Sequence, residues 1–209
     1  MQILDDRLIK TNPKTGKSEV LMDNLHFANG VFLPDDESYV AVAETFNARV
    51  HRYWLKGSKK GTHEVFLDNL PGFPDNLSPY KNGGFVVNLL CSREAPDVIG
   101  SIAPFPNVRK FIARSIALVH LAVQKAHSVY PSDMLKKASH LLTHLEVSSF
   151  FLTNQHSVAV IYDKNGKLVK SLHSTDGILP WNSDFVELGG YYYLGSPYNP
   201  FLGRVKVSK

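Results

Sequence analysis

Two stretches of the sequence carry oxygen-bearing side chains about 46 residues apart. FANG (27–30) contains Asn29, and FPDN (73–76) contains Asp75 and Asn76. Amide and carboxylate oxygens are hard ligands, which calcium prefers and zinc does not. If the two stretches occupy equivalent places in neighbouring structural units, their side chains converge. The first candidate chemistry is therefore a calcium site formed by Asn29, Asp75 and Asn76.

The same residues also allow two simpler interpretations. Asn-Gly and Pro-Asp-Asn are common turn sequences, so the spacing alone leaves open that both stretches only connect strands. Asn76-Leu77-Ser78 is also a glycosylation sequon. A glycan belongs on an exposed loop, so a glycosylated Asn76 could not be an enclosed metal ligand. Pro79 follows directly and disfavours the modification, which favours the ligand role.

An internal repeat predicts the structural units that would position these residues. The sequence from residue 7 aligns with the sequence from residue 49, and both contain Glu-Val followed three residues later by Asp-Asn-Leu. The offset is about 45 residues, a period typical of β-propeller blades, whose innermost strands line a central channel. β-branched and aromatic runs predict antiparallel strands at 38–44, 48–55 and 62–69.

A third, degenerate copy of the unit begins at Ser157. It continues through YYYLGS (191–196) and GRVKVSK (203–209). Within it, Asn165-Gly166 predicts a two-residue hairpin turn in which both residues have positive φ angles.

A helical insert, residues 106–146, is predicted between the second and third copies. Apolar residues recur there at three- and four-residue steps, and Ser132 is placed to cap a second helix. The apolar stripe is flanked by basic residues, including Arg109, Lys110 and Arg114. The helices therefore either pack over the propeller as a lid or contact a membrane surface.

Composition excludes several other classes. The chain has 209 residues, of which 44% are hydrophobic, enough for one core over residues 1–209. Its formal net charge of +4 is dispersed, so we expect no nucleic-acid partner. The single cysteine, Cys91, allows no internal disulfide, and the chain as written shows neither a signal peptide nor a membrane-spanning run.

Several motifs resemble the strictosidine synthase-like family over nearly the whole chain. They are VAETFNARVHRYWLKGSKKG, LPGFPDN, SLHSTDG and YYYLGSPYNPFLGRV. The resemblance implies an all-β, six-bladed propeller related to paraoxonases and gluconolactonases, with a channel calcium ion and esterase or lactonase activity on small molecules. In the paraoxonase relatives the calcium ligands fall on positions matching Asn29, Asp75 and Asn76. The resemblance also implies membrane association through an N-terminal anchor, which this chain does not contain.

Departures from the family pattern qualify these expectations. Family members begin with further blades, so this chain is expected to form a partial propeller of about three blades. Missing blades or a second chain would then be needed to close the ring, and the chain alone could be inactive. Strictosidine synthase also uses a glutamate on its last blade, where this sequence has Ser183 or Asp184, so its condensation reaction is not carried over. The alternative function is a non-catalytic, membrane-associated interaction or adhesion module.

Overall fold

A computed structural model describes residues 6–93, 101–102, 104–143 and 156–207. The chain separates into two compact units, one within residues 95–154 and one formed by residues 2–94 and 155–209. The first unit contains the helices and the second contains the strands.

The strands of the second unit form antiparallel sheets. Their bounds are β1 Asp6–Thr11, β2 Ser18–Leu25, β3 Ala28–Phe32, β4 Tyr39–Glu44, β5 Arg49–Trp54, β6 His63–Leu67, β7 Gly72–Pro79, β8 Phe85–Ser92, β9 Ser157–Tyr162, β10 Leu168–Ser174, β11 Asp184–Leu188, β12 Tyr191–Gly195 and β13 Gly203–Lys206. In the part of the chain that the structure describes, these strands form four sheets: β1-β2, β3-β4-β5-β6, β7-β8-β9-β10 and β11-β12-β13. The all-β prediction is confirmed for this unit, and the three predicted strands lie within one residue or two of β4, β5 and β6.

Consecutive sheets are held together by three buried apolar clusters. Between the two four-stranded sheets, Phe32 and Val50 pack with Phe85 and Val87. A second cluster joins β1-β2 to β4, and a third joins β8 and β9 to β11 and β12. Each sheet is thus packed on the next one along the chain, as in successive propeller blades. The number of blades and the closure of a ring remain predictions.

The two terminal sheets expose apolar side chains on their outer faces. Ile9 and Val20 lie opposite each other on the outer face of β1-β2, and each is about half exposed. At the other end of the unit, Val186 and Leu188 of β11 are exposed, whereas Phe185, which precedes them, is buried. Both faces have the composition of surfaces that pack against another sheet.

The turn between β9 and β10 differs from its prediction. Asp163 N donates to Lys167 O and Gly166 N donates to Asp163 O, so the connection involves more than two residues. Gly166 has a φ of +83°, whereas Asn165 is not among the residues with positive φ. A longer loop with a left-handed glycine therefore replaces the predicted two-residue turn.

The helical unit contains α1 (Pro106–Val129) and α2 (Asp133–Thr143). As predicted, Ser132 caps the second helix, since its Oγ accepts a hydrogen bond from Leu135 N at 3.2 Å. His120 Nε2 lies 3.0 Å from Ser139 Oγ and joins the two helices. The last residues of the predicted insert, 144–146, lie outside the described part of the chain. Among the described helices, none combines the length and apolar character needed to cross a bilayer.

Candidate metal centre

β3 and β7 carry a bulge at the same place. Asn29 and Gly30 together lie opposite a single residue of β4, because Ala28 pairs with Glu44 and Val31 with Val42. Asp75 and Asn76 likewise lie opposite a single residue of β8. A bulge interrupts the alternation of side chains between the two faces of the sheet and changes the direction in which they point. Bulges are common beside functional sites. Both stretches therefore lie inside strands, and neither is a simple turn between strands.

The two bulges touch each other. A Cβ placed on Gly30 would lie 2.5 Å from Asn76 Cα and 2.6 Å from Asp75 O, so only glycine permits this approach of the backbones. The side-chain amide of Asn29 also lowers the pKa of the Asp75 carboxylate, so the two groups are neighbours. The structure thus brings Asn29 and Asp75 together, and it places Asn76 on the same bulge as Asp75.

Asn88, the residue opposite the β7 bulge, supports it from β8. Asn88 is fully buried, and its Nδ2 donates to Asn76 O at 3.1 Å and to Ser78 Oγ at 2.9 Å. The bulge removes Asn76 O from the regular ladder of hydrogen bonds, and the amide of Asn88 satisfies this carbonyl instead.

Asp184 adds a second carboxylate beside the site. It begins β11, and its Oδ1 accepts a hydrogen bond from Ser78 Oγ at 2.7 Å. Burial raises the pKa of Asp75, the hydrogen bond from Asn29 lowers it, and the negative charge of Asp184 raises it further, with a net increase. A nearby cation would relieve this repulsion. The sequence indicated Asp184 only as one of two positions matching a family glutamate, although its place in the first strand of a sheet is the same as that of Asn29 and Asp75.

The chemistry of these donors fits calcium. The side chains of Asn29, Asp75, Asn76 and Asp184 offer amide and carboxylate oxygens, without sulfur or imidazole. Within the described residues, no group of three or more His, Cys, Asp or Glu side chains could hold a metal ion, so a zinc-type centre is not present there. Calcium takes about six to eight oxygen ligands. Water or other protein elements would therefore have to complete its coordination.

A buried charge cluster adjoins the centre at the end of β4. Glu44 is 0% exposed, and its carboxylate accepts hydrogen bonds from Arg49 Nε, from Asn47 Nδ2 at 2.7 Å and from His26 N at 2.8 Å. It also lies 2.7 Å from His51 Nε2. Burial opposes ionisation, but the hydrogen bonds from Arg49, His26 and His51 outweigh it and hold the pKa of Glu44 at about 2. The sequence analysis gave this cluster no role, although the motif VAETFNAR contains three of its members.

The chain matches known proteins by sequence. The strictosidine synthase family model matches residues 4–58. The adipocyte plasma membrane-associated protein Hemomucin of Drosophila melanogaster is 41% identical over 97% of this chain and 35% of its own length. The human adipocyte plasma membrane-associated protein is 31% identical over 97% of this chain and 43% of its own. Strictosidine synthase-like 10 of Arabidopsis thaliana is 31% identical over 94% of this chain and 46% of its own.

A solved structure shares the fold. The gluconolactonase XC5397 of Xanthomonas campestris superposes with a TM-score of 0.50 over 94% of this chain and 44% of its own, at 10% sequence identity. This similarity concerns the fold alone. The chain spans about a third to a half of the curated relatives that it matches. The resemblance found in the sequence is thus confirmed. This chain belongs to the strictosidine synthase-like family and corresponds to part of the length of its curated relatives.

Proposed function

We propose that this chain provides the calcium site of a hydrolase that acts on small-molecule esters or lactones. Asn29, Asp75 and Asn76 would hold the ion, with Asp184 beside them. A bound calcium ion would polarise a substrate carbonyl and lower the pKa of a water molecule. The chain's own contribution is to orient oxygen ligands at the junction of β3, β7 and β11.

The observation that supports this proposal most directly is the contact between the two bulges. Two sequence-equivalent positions in neighbouring sheets leave the regular strand pattern, and the backbones of the two bulges touch at Gly30. Desolvation of Asp75 beside another carboxylate opposes folding unless a cation or a hydrogen-bond donor compensates it. A structural bulge alone would not require this carboxylate.

The relatives support the class of reaction. A protein with the same fold is named a gluconolactonase, which opens a lactone. Because the chain covers less than half of that protein, the activity of the whole molecule remains part of this proposal.

The test is hydrolysis of phenyl acetate and of a small lactone by the purified chain. We expect calcium-dependent turnover that a chelator abolishes and that added calcium restores. Asp75→Asn should abolish it, whereas Asp68→Asn, which changes an exposed carboxylate at the end of β6, should not. Calcium binding without turnover would refute catalysis by this chain, and turnover that persists in a chelator would refute the role of the ion.

The exposed outer faces favour association of this unit with more protein. Ile9 and Val20 at one end and Val186 and Leu188 at the other end would be covered by further blades or by a second chain. Such a partner, or water, would complete the coordination of the calcium ion. Light scattering of the purified chain should then show association, which the double variant Ile9→Lys and Val186→Lys should reduce. A monomeric wild-type chain, with the same solubility as the double variant, would contradict this association.

A second candidate function is association with a membrane surface through the helical unit. Phe111 and Met134 are 72% and 76% exposed, and Arg109 and Lys110 lie beside Phe111 on α1. Apolar and basic side chains in this combination bind anionic bilayers. Several relatives are named plasma membrane-associated proteins.

Sedimentation with phosphatidylserine vesicles tests this second function. We expect binding that Phe111→Ser weakens and that Phe201→Ser, a matched change of an exposed aromatic residue in the strand unit, leaves intact. Equal binding of both variants would refute a role for the helices.

A further inference from the structure

Thr45 touches both strands that carry the candidate ligands. It follows β4 as the first residue of a 3-10 turn and is 5% exposed. Its hydroxyl donates to Pro74 O at 2.7 Å, next to Asp75, and accepts from Asn29 Nδ2 at 3.3 Å. One side chain therefore connects the β3 bulge to the β7 bulge.

These contacts determine how the Asn29 amide is oriented. A threonine hydroxyl has one hydrogen, and here it is given to a carbonyl, which can only accept. Asn29 must therefore present an N–H to Thr45. No described residue donates to Asn29 Oδ1, which is the atom of this side chain that binds a cation.

The turn that carries Thr45 is itself held in place. Its backbone N–H donates to Phe27 O at 3.0 Å, and the next N–H, of Phe46, donates to His26 O at 3.3 Å. Glu44, the residue before Thr45, is the buried carboxylate fixed by Arg49 and its neighbours. The hydroxyl of Thr45 thus belongs to a turn whose backbone is held in place by hydrogen bonds.

We propose that Thr45 is a positioning residue of the metal centre. Its hydroxyl accepts an N–H of Asn29, which fixes the orientation of the amide and leaves Oδ1 for the cation. This inference depends on the proposed calcium site for its role in binding, but the orientation of the amide can be measured without calcium.

The experiment compares Thr45→Val, which removes the hydroxyl at nearly constant shape, with Thr45→Ser, which retains it. Thr62→Val is the control, because the Thr62 hydroxyl also donates to a backbone carbonyl, that of Lys59 at 2.7 Å, but in an exposed turn. The first measurement is the exchange rate of the Asn29 side-chain amide hydrogens with water in the calcium-free chain, by NMR. The second is the dissociation constant for calcium, by calorimetry.

In Thr45→Val the Asn29 amide loses its hydrogen-bond acceptor, so we expect its hydrogens to exchange faster with water and calcium affinity to fall about tenfold. Thr45→Ser and Thr62→Val should match the wild type in both measurements. Unchanged exchange of the Asn29 amide hydrogens in Thr45→Val would overturn the proposal. Faster exchange in Thr45→Val, in a chain that binds no calcium, would support the orienting role of Thr45 and refute the proposed function instead.

If Thr45→Val does not fold, the wild type still provides a test. The side-chain amide hydrogen of Asn29 that is bonded to Thr45 should exchange slowly with water. Rapid exchange of this hydrogen would overturn the proposal.

Discussion

The buried carboxylate of Glu44 gives the most quantitative prediction. Glu44→Gln keeps the shape of the side chain but removes its charge. Several groups surround this carboxylate within hydrogen-bond distance, among them Arg49 Nε, Asn47 Nδ2, His26 N and His51 Nε2. A glutamine would place its own N–H₂ against some of these donors, and 0% exposure leaves no water to compensate.

The magnitude follows from the pKa of Glu44. It lies at about 2 in the folded chain, compared with an ordinary value of 4.5. A shift of this size corresponds to about 3 kcal/mol of stability. Because the folded pKa is depressed, this contribution is present above pH 4.5 and is lost as the pH falls from 4.5 through about 2.

Urea denaturation followed by circular dichroism, at neutral pH and at several values between 4.5 and 2, measures both effects. Glu44→Gln should lose about 3 kcal/mol at neutral pH and should show a flatter decline in the acid range than the wild type. Glu64→Gln is the control, since that carboxylate also pairs with an arginine, Arg52, but is about one-third exposed. The reasoning is refuted if Glu44→Gln costs no more than Glu64→Gln, or if its acid profile follows that of the wild type.

Three further predictions concern packing and the metal centre. Gly30→Ala should destabilise the chain by about 1–3 kcal/mol in urea denaturation, because its Cβ meets the β7 backbone at 2.5 Å, whereas Gly195→Ala should be tolerated. Phe85→Ala should lower the free energy of unfolding by about 3–5 kcal/mol in the same assay, since Phe85 is fully buried. Phe201→Ala should cost clearly less because Phe201 is about half exposed, and equal costs would contradict the assigned core. Calcium affinity measured by calorimetry should fall as the pH is lowered toward the raised pKa of Asp75, which must be ionised to bind, and a pH-independent affinity would exclude it as a ligand.

The sequence predicts the β-sheets better than it predicts the candidate metal centre. The 45-residue repeat and the alternating strands identify β4, β5 and β6, and the cap at Ser132 identifies the second helix. These features depend on local patterns, which a sequence displays directly. The same repeat also indicates that Asn29 and Asp75 occupy equivalent positions.

The remaining features depend on contacts that are distant in sequence. No local signal shows that Asn29 and Asp75 lie in bulges, since the bulges are defined only by pairing with β4 and β8. Thr45 and Asp184 reach the centre through partners 29 and 106 residues away, Pro74 and Ser78. At the β9–β10 turn, the Asn-Gly signal was correct about a turn but not about its length, because Asp163 also participates.

Calcium titration of the purified chain by isothermal calorimetry tests the central claim most directly. The account predicts one calcium ion per chain, affinity weakened by about tenfold or more in Asp75→Asn, and no effect of Asp68→Asn. A chain that folds but gives no heat with millimolar calcium, or that binds calcium equally well in the wild type and in Asp75→Asn, would contradict it.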